Sequence, residues 1–402
     1  ELWKYGIPSK TKHNEVAPAQ HEVACVYTVA NVTADNNALV MQLSQDIAKK
    51  HGLRCLLHEK PFEGVNGSGK HNNWSLMTNT GINLFNPGPD PINNKPFLAT
   101  LACALKGVDE YAELLRLSAA CAGNDHRLGA NEAPPAIVSA FVGDDLNKVI
   151  KAIIDGEELN KTTGERFTTG VSVIPDFSKD STDRNRTSPF AFTGNKFEFR
   201  MLGSAASVAN PNVVLNTAVA EALAQFYTEL EGTKPEDMEQ AVHELIKRAI
   251  RKHKKVIFNG NGYTDEWVAE AEKRGLYNLP STPDCLPQLL ADKNVELFTK
   301  HHVFTKEELA SRYEIKLENY VKYYLSDDYT IYVNSGSEAD GTDAAQIRKN
   351  NRSAEEMLQK IQALDGITAV HTARCEDVTL SFDAALYQPI MENNGYGSSL
   401  EE

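Results

Sequence analysis

Apolar residues recur along this chain with two spacings, one typical of helices and one typical of strands. The helical spacing of apolar residues predicts helices over 34–51, 95–121, 144–157, 210–231, 235–254, 263–274, 305–325 and 353–364. Strict alternation or a short apolar run predicts strands over 13–30 (interrupted at Pro18) and in "LRCLLHEK", "HNNWSLMTN", "KFEFRML", "DGITAVHT" and "DVTLSFDAAL". Because strands and helices succeed one another, the pattern indicates an α/β or α+β protein.

The length of the chain and the change in its composition along the sequence suggest how it is divided into domains. Its 402 residues, 41% of them hydrophobic, suffice for one large domain or two ordinary ones. From about residue 326 the sequence becomes polar and rich in turn residues, which predicts a domain over 1–325 and a separate segment over 326–402. No apolar run approaches the roughly 20 residues that cross a bilayer, so we expect no membrane partner.

Charge and cysteine usage narrow the class of partners. The net charge of −14 argues against a nucleic-acid-binding protein, which is normally basic, and is compatible with a protein that holds divalent cations. Six cysteines are scattered without a CxxC pair. This arrangement predicts reduced thiols in a cytoplasmic protein, with neither a disulfide framework nor a zinc site.

A glycine-rich stretch, "KPFEGVNGSGKHNNWSL", is the first candidate for chemistry. Gly67 and Gly69 allow another group to approach the backbone closely, and their N–H groups could bind an anion. In the strand that follows, His71, Asn73 and Ser75 share one face because side chains alternate. The stretch does not fit the phosphate-loop pattern GxxxxGK[ST], and a hairpin turn with a surface histidine explains it equally well.

The stretch "KFEFRM" places three charged side chains on one face of a strand. Lys196, Glu198 and Arg200 alternate with Phe197 and Phe199, which would pack on the other face. A carboxylate between two cations is the arrangement expected where one carboxylate holds a metal and two cations hold phosphoryl oxygens. An ordinary surface ladder of charges has the same pattern.

Three further segments carry weaker signals. Glu15 and Glu22 are seven residues apart, so their carboxylates converge only if the strand is irregular, and Pro18 is the natural position for such an irregularity. If the strand is regular, they are two solvated glutamates. In "HRLGANEAPP", Arg127 and Glu132 bracket a segment that is either a gating loop or an ordinary connection. In "DRNRTSPF", the arginines at 184 and 186 could bind phosphate or face water.

Together and in this order, these motifs resemble glutamine synthetase, most closely its type III branch. The resemblance covers roughly residues 1–325. It is carried by "KHNEVAPAQHE" (12–22), "GVNGSGKHNNWS" (64–75), "RLGANEAPP" (127–135), "NRTSPFAF" (185–192) and "FEFRMLGSAASVANP" (197–211). It implies an α+β catalytic domain, in which helices back a curved and mainly antiparallel sheet.

The resemblance also implies an activity. The family makes glutamine from glutamate, ammonia and ATP, through a γ-glutamyl phosphate, with two or more Mg²⁺ or Mn²⁺ ions between the substrates. The lid that excludes water from this intermediate would include Glu132. The family further implies a large ring-shaped homo-oligomer, expected to be a dodecamer.

Individual roles follow by motif position, as implications of the same resemblance. The metal ligands would be Glu15 and Glu22 on one ion and His71 and Glu198 on the phosphate-side ion. Asn66 and Gly67 would form the loop that receives glutamate, with glycine clearing room for it, and Arg127 would hold its carboxylate. The remaining roles are nucleotide contact (Ser75, Lys196), binding of the phosphates and the transferred group (Arg186, Arg200) and closure of the ammonia site (Glu132).

The chain departs from the family pattern in three ways. It shows no N-terminal β-grasp domain and no earlier Glu-x-Glu strand, its residues beyond about 326 match nothing in the family, and Ala191 falls where another arginine is usual. We expect the sequence to be an incomplete portion of a longer chain, because the metal and substrate motifs are intact. Three alternatives remain. The chain could be a remnant that needs a second polypeptide, a γ-glutamyl ligase that uses an amine in place of ammonia, or a non-catalytic structural or regulatory paralogue.

Overall fold

The computed structural model of the chain describes residues 1–156 (apart from Glu63) and 188–325, together with the backbone of four short strands at 166–167, 177–178, 367–374 and 377–382. The helices are α1 (Ala30–Lys50), α2 (Lys95–Glu110), α3 (Ala112–Ser118), α4 (Ala122–Arg127), α5 (Gly143–Asp155), α6 (Ala209–Leu230), α7 (Met238–His253), α8 (Asp265–Lys273), α9 (Thr282–Cys285), α10 (Asp292–Lys300) and α11 (Lys306–Leu325). The strands are β1 (Ser9–Asn14), β2 (His21–Cys25), β3 (Gly69–Trp74), β4 (Ala140–Phe141), β5 (Arg166–Phe167), β6 (Phe177–Ser178), β7 (Phe190–Phe192), β8 (Phe197–Gly203), β9 (Ile367–Arg374) and β10 (Asp377–Phe382).

The largest sheet that these residues form has four strands in the order β3-β8-β7-β4. The β3–β8 and β8–β7 pairs are antiparallel, and only the β7–β4 pair is parallel. The remaining strands pair antiparallel, two by two, as β1–β2, β5–β6 and β9–β10. The predicted α+β class and the mainly antiparallel sheet are therefore confirmed.

Aromatic side chains fill the buried face of the sheet. Phe197 and Phe199 are fully buried, and the ring of Phe197 stacks on that of Phe190 with centroids 4.3 Å apart. On β3 the alternation sends Asn72 and Trp74 inward, where their side chains hydrogen-bond to residues of α6 at 3.1 Å and 2.8 Å. Because these inward positions are occupied by helix contacts, His71 and Glu198 are left on the opposite side of the two strands.

Helix α2 is largely buried in this core. Its first turn is fixed by Asn94, whose side chain accepts a hydrogen bond from the N–H of Phe97, and by Pro96 in the first turn. Most of its residues are buried, and it packs against α6 and α7. Burying such a long apolar surface is the main stabilising contribution in a domain of this kind.

Most predicted elements are confirmed, and the differences have local causes. The helices predicted over 144–157, 210–231, 235–254, 263–274 and 305–325 are confirmed to within three residues, and the backbone of β9 and β10 agrees with the two last predicted strands. The predicted helix over 95–121 is divided at Tyr111, whose backbone leaves the helical region. The first helix begins at Ala30, before the predicted start. The helix predicted over 353–364 lies outside the described residues.

The strand predicted in "LRCLLHEK" is wrong. Residues 53–60 form no regular element, because their polar groups bond locally or to other segments instead of to a neighbouring strand. The ring of His58 accepts a hydrogen bond from the N–H of Lys60, and the carbonyl of Glu59 accepts one from the N–H of Ser68. Apolar composition alone cannot distinguish such a segment from a buried strand. Among the helices that the structure describes, none combines the length and apolar character that a membrane span requires.

Candidate active site

Three potential metal ligands meet on the β1–β2 hairpin. The chain reverses between Asn14 and His21, so that His13 pairs with Glu22 across the two strands. His13 and Glu15 are two residues apart and therefore share a face. The Nε2 atom of His13 lies 2.6 Å from Oε1 of Glu15 and 3.2 Å from Oε2 of Glu22, and one ligand atom from each of the three lies within 4.8 Å of the others.

The convergence of Glu15 and Glu22 expected from the sequence is therefore present. The irregularity is a complete reversal of the chain around Pro18, with Ala19 in the left-handed region at φ 54°. The pKa of Glu22 is raised, because the carboxyl is partly buried and because Glu15 is close beside it. Two carboxylates and one imidazole are a donor set that suits Mg²⁺ or Mn²⁺, and a cation between them would offset the repulsion of the carboxylates.

The hairpin is tied to the glycine-rich loop by Gln20. Its Nε2 donates a hydrogen bond to the carbonyl of Gly67 at 3.1 Å, and its Oε1 accepts one from the N–H of Ala17 at 3.2 Å. Ala17 itself is buried at 6% exposure. Because both ends of the Gln20 amide are engaged, the tip of the hairpin is held against the loop that precedes β3.

His71 lies where the β3–β8 pairing is irregular. Lys70 pairs with Leu202 and Asn72 with Phe199, so β8 has an extra residue opposite His71. Glu198 lies on the neighbouring position of the same face, opposite Asn73. Glu15 and Glu198 are both close enough for their charges to act on the His71 ring. His71 thus lies within electrostatic range of both Glu198 and Glu15, while the ligand atoms that lie within 4.8 Å of one another belong to His13, Glu15 and Glu22.

The protein around His71 favours its neutral form. Although the side chain is exposed at the surface, loss of water around the ring lowers the pKa of His71, and Arg200 and Arg127 act in the same direction. The charges of Glu198 and Glu15 oppose this shift. Neutral imidazole is the form that binds a metal ion, so these surroundings suit a ligand.

Lys196, Glu198 and Arg200 do not form a surface ladder. Lys196 and Glu198 are half-buried, but Arg200 is only 2% exposed, and its Nη2 donates a hydrogen bond to the carbonyl of Ser188 at 3.0 Å. The interpretation of this stretch as solvated charges is therefore wrong for Arg200. Ala191 pairs with Glu198 and is buried.

Ser75 and Lys196 lie at the same end of the sheet. The hydroxyl oxygen of Ser75 lies 3.0 Å from Oδ1 of Asn83 and 3.3 Å from the carbonyl oxygen of Asn195, either of which can accept its one hydrogen. Asn195 immediately precedes Lys196. The side-chain amide of Asn83 also donates a hydrogen bond to the carbonyl of Asn195. The two residues that motif position associates with the nucleotide are thus neighbours in space.

Arg127 occupies the space that the glycine loop leaves open. It ends α4 and is 7% exposed. A Cβ on Gly67 would lie 2.9 Å from Cγ of Arg127, and a Cβ on Gly69 would overlap its guanidinium group. The space that a side chain at Gly67 or Gly69 would take is thus filled by Arg127, and the expectation that this loop receives glutamate stays a prediction. Asn66, on the same loop, is half-buried.

Glu132 lies at the tip of a strained turn. Asn131 and Glu132 both have positive φ, at 50° and 71°, in the region that non-glycine residues rarely adopt. The turn is closed by a hydrogen bond from the N–H of Gly129 to the carbonyl of Pro134 and anchored by one from the hydroxyl of Tyr263 to Ala133. Glu132 remains exposed on it. Such strain often marks functional segments.

Two family models match the chain. The model of the glutamine synthetase catalytic domain matches residues 1–112, and that of the glutamine synthetase C-terminal domain matches residues 241–330. The chain belongs to the glutamine synthetase family. The first matched range contains the hairpin cluster, the glycine-rich loop and β3.

Named relatives agree with this family. A glutamine synthetase of Butyrivibrio fibrisolvens is 52% identical over 91% of this chain and 52% of the relative. A type-3 glutamine synthetase of Dictyostelium discoideum is 48% identical over 83% of this chain and 45% of the relative. The chain thus spans about half the length of the curated relatives it matches. The solved glutamine synthetase of Plasmodium falciparum is 16% identical, with a TM-score of 0.49 over 84% of this chain and 59% of that chain.

The candidate residues divide between parts of the chain that the family models match and parts that they do not. Those within the first matched range are Glu15, Glu22, Asn66, Gly67, His71 and Ser75, and those between the two ranges are Arg127, Glu132, Arg186, Lys196, Glu198 and Arg200. Arg186 lies outside the described residues. His13 was missed by the sequence analysis, although its position two residues before Glu15 was an available signal.

Proposed function

We propose that the hairpin β1–β2 and the adjoining edge of the sheet form the site of an ATP-dependent glutamate–ammonia ligase. The observation that supports this most directly is the cluster of His13, Glu15 and Glu22 on the hairpin, together with His71 on the sheet, which lies near enough to Glu15 and Glu198 for their charges to act on its ring. A set of hard ligands at one place is what a phosphoryl transfer between two anionic substrates requires.

The protein's own residues divide into two cation-binding groups in this proposal. Glu15 and Glu22, with His13, would hold one Mg²⁺ or Mn²⁺ ion, and His71 with Glu198 would hold the other. When bound, the ions would offset the negative charge that ATP and glutamate bring together. Carboxylate oxygens with an occasional imidazole are donor atoms that suit such ions.

Motif position supports the following substrate contacts around these groups. Arg127 would bind the carboxylate of glutamate beside the Asn66–Gly67 loop. Ser75 and Lys196 would contact the nucleotide. Arg200 and Arg186 would bind the phosphates and the transferred phosphoryl group, whose charge a bidentate guanidinium matches well. In the first step the side-chain carboxylate of glutamate would take the γ-phosphoryl group of ATP, which forms γ-glutamyl phosphate and releases ADP.

Glu132 would complete the reaction as a proton acceptor. Ammonium must lose a proton before its nitrogen can attack γ-glutamyl phosphate, and an exposed carboxylate on a strained loop is suited to take it. The same loop would keep water from the acyl phosphate when it covers the site. We further propose, on family resemblance alone, that the whole protein is cytoplasmic and forms a ring-shaped homo-oligomer, a dodecamer.

The test is phosphate release from the full-length protein with ATP, Mg²⁺ and glutamate, with and without ammonia. Release that requires all four components supports the proposal. Release that is indifferent to ammonia would remove it. Release that needs an alkylamine in place of ammonia would indicate a γ-glutamyl amine ligase, and complete absence of release would indicate a non-catalytic paralogue.

A further inference from the structure

A buried carboxylate with no role in the proposed reaction lies directly behind the glycine-rich loop. Glu59 is 3% exposed. Its Oε1 accepts a hydrogen bond from the N–H of Ala205 at 2.9 Å, and its carbonyl accepts one from the N–H of Ser68 at 2.7 Å. Glu59 therefore connects the loop before β3 to the turn after β8.

Four glycines surround Glu59 and Arg127 on separate elements. A Cβ on Gly123 of α4, or on Gly203 of β8, would overlap the Glu59 side chain. A Cβ on Gly67 would overlap the Glu59 carbonyl, and one on Gly69 would overlap the Arg127 guanidinium. None of the four has the positive φ that would itself require glycine. Their common feature is the space they leave, and Glu59 and Arg127 fill it.

Glu59 and Arg127 are both buried, and their opposite charges offset each other. Burial lowers the pKa of Arg127 to about 10, and the charge of Glu59 acts against that shift. Burial raises the pKa of Glu59, and the hydrogen bond from Ala205 and the charge of Arg127 act against that shift. A buried cation without a counter-charge is costly, so each group makes the burial of the other tolerable.

The hydrogen bonds of Arg127 start from Nη1 of its guanidinium group. Nη1 donates to Oδ1 of Asn124 at 3.1 Å and lies 3.4 Å and 3.5 Å from the carbonyls of Met201 and Leu202. All three acceptors are neutral, and two of these distances are long for a hydrogen bond. Glu59, which packs beside Arg127 over Gly67, is a carboxylate whose charge acts on this guanidinium.

We propose that Glu59 is a positioning residue, which offsets the buried charge of Arg127 and holds its guanidinium against the backbone of Gly67 and Gly69. This inference rests on the proposed function, in which Arg127 binds the carboxylate of glutamate. Glu59 would then set the affinity for glutamate without contacting any substrate.

The test is Glu59→Gln in the full-length protein. Glutamine keeps the size and the acceptor for the Ala205 N–H but removes the charge, so we expect KM for glutamate to rise about tenfold while kcat and KM for ATP change less than about twofold. The matched control is Glu113→Gln, which removes another buried carboxylate, paired with Lys293 at 2.6 Å, and should leave KM for glutamate unchanged. An unchanged KM for glutamate in Glu59→Gln, or equal losses for all substrates, overturns the inference.

A second comparison separates this inference from the proposed function. Glutamate binding is measured by calorimetry for Arg127→Gln, with and without Glu59→Gln. If Glu59 acts through Arg127, the double variant binds no more weakly than Arg127→Gln alone, whereas additive losses contradict the inference. If Arg127→Gln itself leaves glutamate binding unchanged, the role of Arg127 in the proposed function fails.

If Glu59→Gln does not fold, the variant Glu59→Asp replaces it, which moves the charge back by one methylene. We expect Glu59→Asp to raise KM for glutamate about threefold, and an unchanged KM refutes the inference.

Discussion

His13 and Glu22 face each other across the β1–β2 hairpin, with Nε2 of the histidine 3.2 Å from Oε2 of the glutamate. The neighbouring pair of the same ladder, Asn14 and His21, is joined by its own side-chain hydrogen bond at 2.9 Å. Since side chains alternate along a strand, these two histidines project to opposite faces of one hairpin. The pair therefore offers a direct comparison between a histidine in the cluster and one outside it.

We predict that His13→Ala weakens Mn²⁺ binding by about tenfold, because the cluster loses one of three ligands. The measurement is a Mn²⁺ titration followed by electron paramagnetic resonance. His21→Ala is the control and should bind Mn²⁺ as the unmodified protein does. Equal affinities for the two variants would remove His13 from the ligand set.

His71→Ala should weaken binding of the metal–nucleotide complex more than binding of glutamate. The imidazole lies beside Glu198 on the side of the sheet where Ser75 and Lys196 also lie, whereas Arg127 would bind glutamate through its own guanidinium. Separate titrations with Mg²⁺–ATP and with glutamate measure the two affinities. Equal weakening of both would contradict the role proposed for His71.

Glu132→Ala should impair the use of ammonia and leave the fold intact. Glu132 is exposed, so its removal exposes no apolar surface and should change the melting temperature little. KM for ammonia should rise and kcat should fall by about 10²-fold, the usual contribution of a positioned proton acceptor. Thermal unfolding and initial rates at varied ammonia check the two parts. A variant that unfolds would show that Glu132 is structural.

The carboxyl of Glu221 should make stability depend on acidity. Burial alone would raise the pKa of Glu221, but hydrogen bonds from Lys300, Gln225 and His301 outweigh it and lower the pKa to about 2. A carboxyl with a lowered pKa stabilises the fold above its unfolded pKa, near 4.5, and this contribution is lost as the pH falls from about 4.5 to about 2.

Glu221→Gln measures that contribution. Protonation of Glu221 across this range of pH should lower the unfolding free energy of the unmodified protein by on the order of 3 kcal/mol. The variant lacks this carboxyl, so its unfolding free energy should fall correspondingly less. Denaturant unfolding at several pH values gives both curves. Glu231→Gln, on the exposed end of the same helix, is the control. Parallel curves for Glu221→Gln and the unmodified protein would contradict the prediction.

The sequence predicted long helices and the charged faces of β3 and β8 well, because both depend on local spacing. The stretch "KFEFRM" shows this, since the burial of Phe197 and Phe199 follows from alternation alone. The hairpin was only partly predictable. Pro18 indicated an irregularity, but the register that brings His13 opposite Glu22 depends on how many residues the turn contains.

Contacts between distant segments could not be predicted from the sequence. "LRCLLHEK" has the composition of a buried strand, yet Glu59 within it serves as a buried carboxylate that bonds to Ala205, 146 residues away. Of the four glycines that make room for Glu59 and Arg127, Gly67 and Gly69 were expected to allow a close approach to the backbone, whereas Gly123 and Gly203 look like ordinary residues in the sequence. Their purpose is visible only when the side chains that fill the space are known.

The bond between Gln20 and the carbonyl of Gly67 has a consequence for how this site can vary. The acceptor belongs to the main chain, so no substitution at position 67 deletes it, and only the glutamine side can be altered. The hairpin that carries Glu15 and Glu22 is consequently linked to the loop before β3 by a bond that does not depend on the side chain at position 67. A change in turn length near Pro18 would displace cation ligands and loop in concert, and natural variation at the tip should be confined to substitutions that preserve its length.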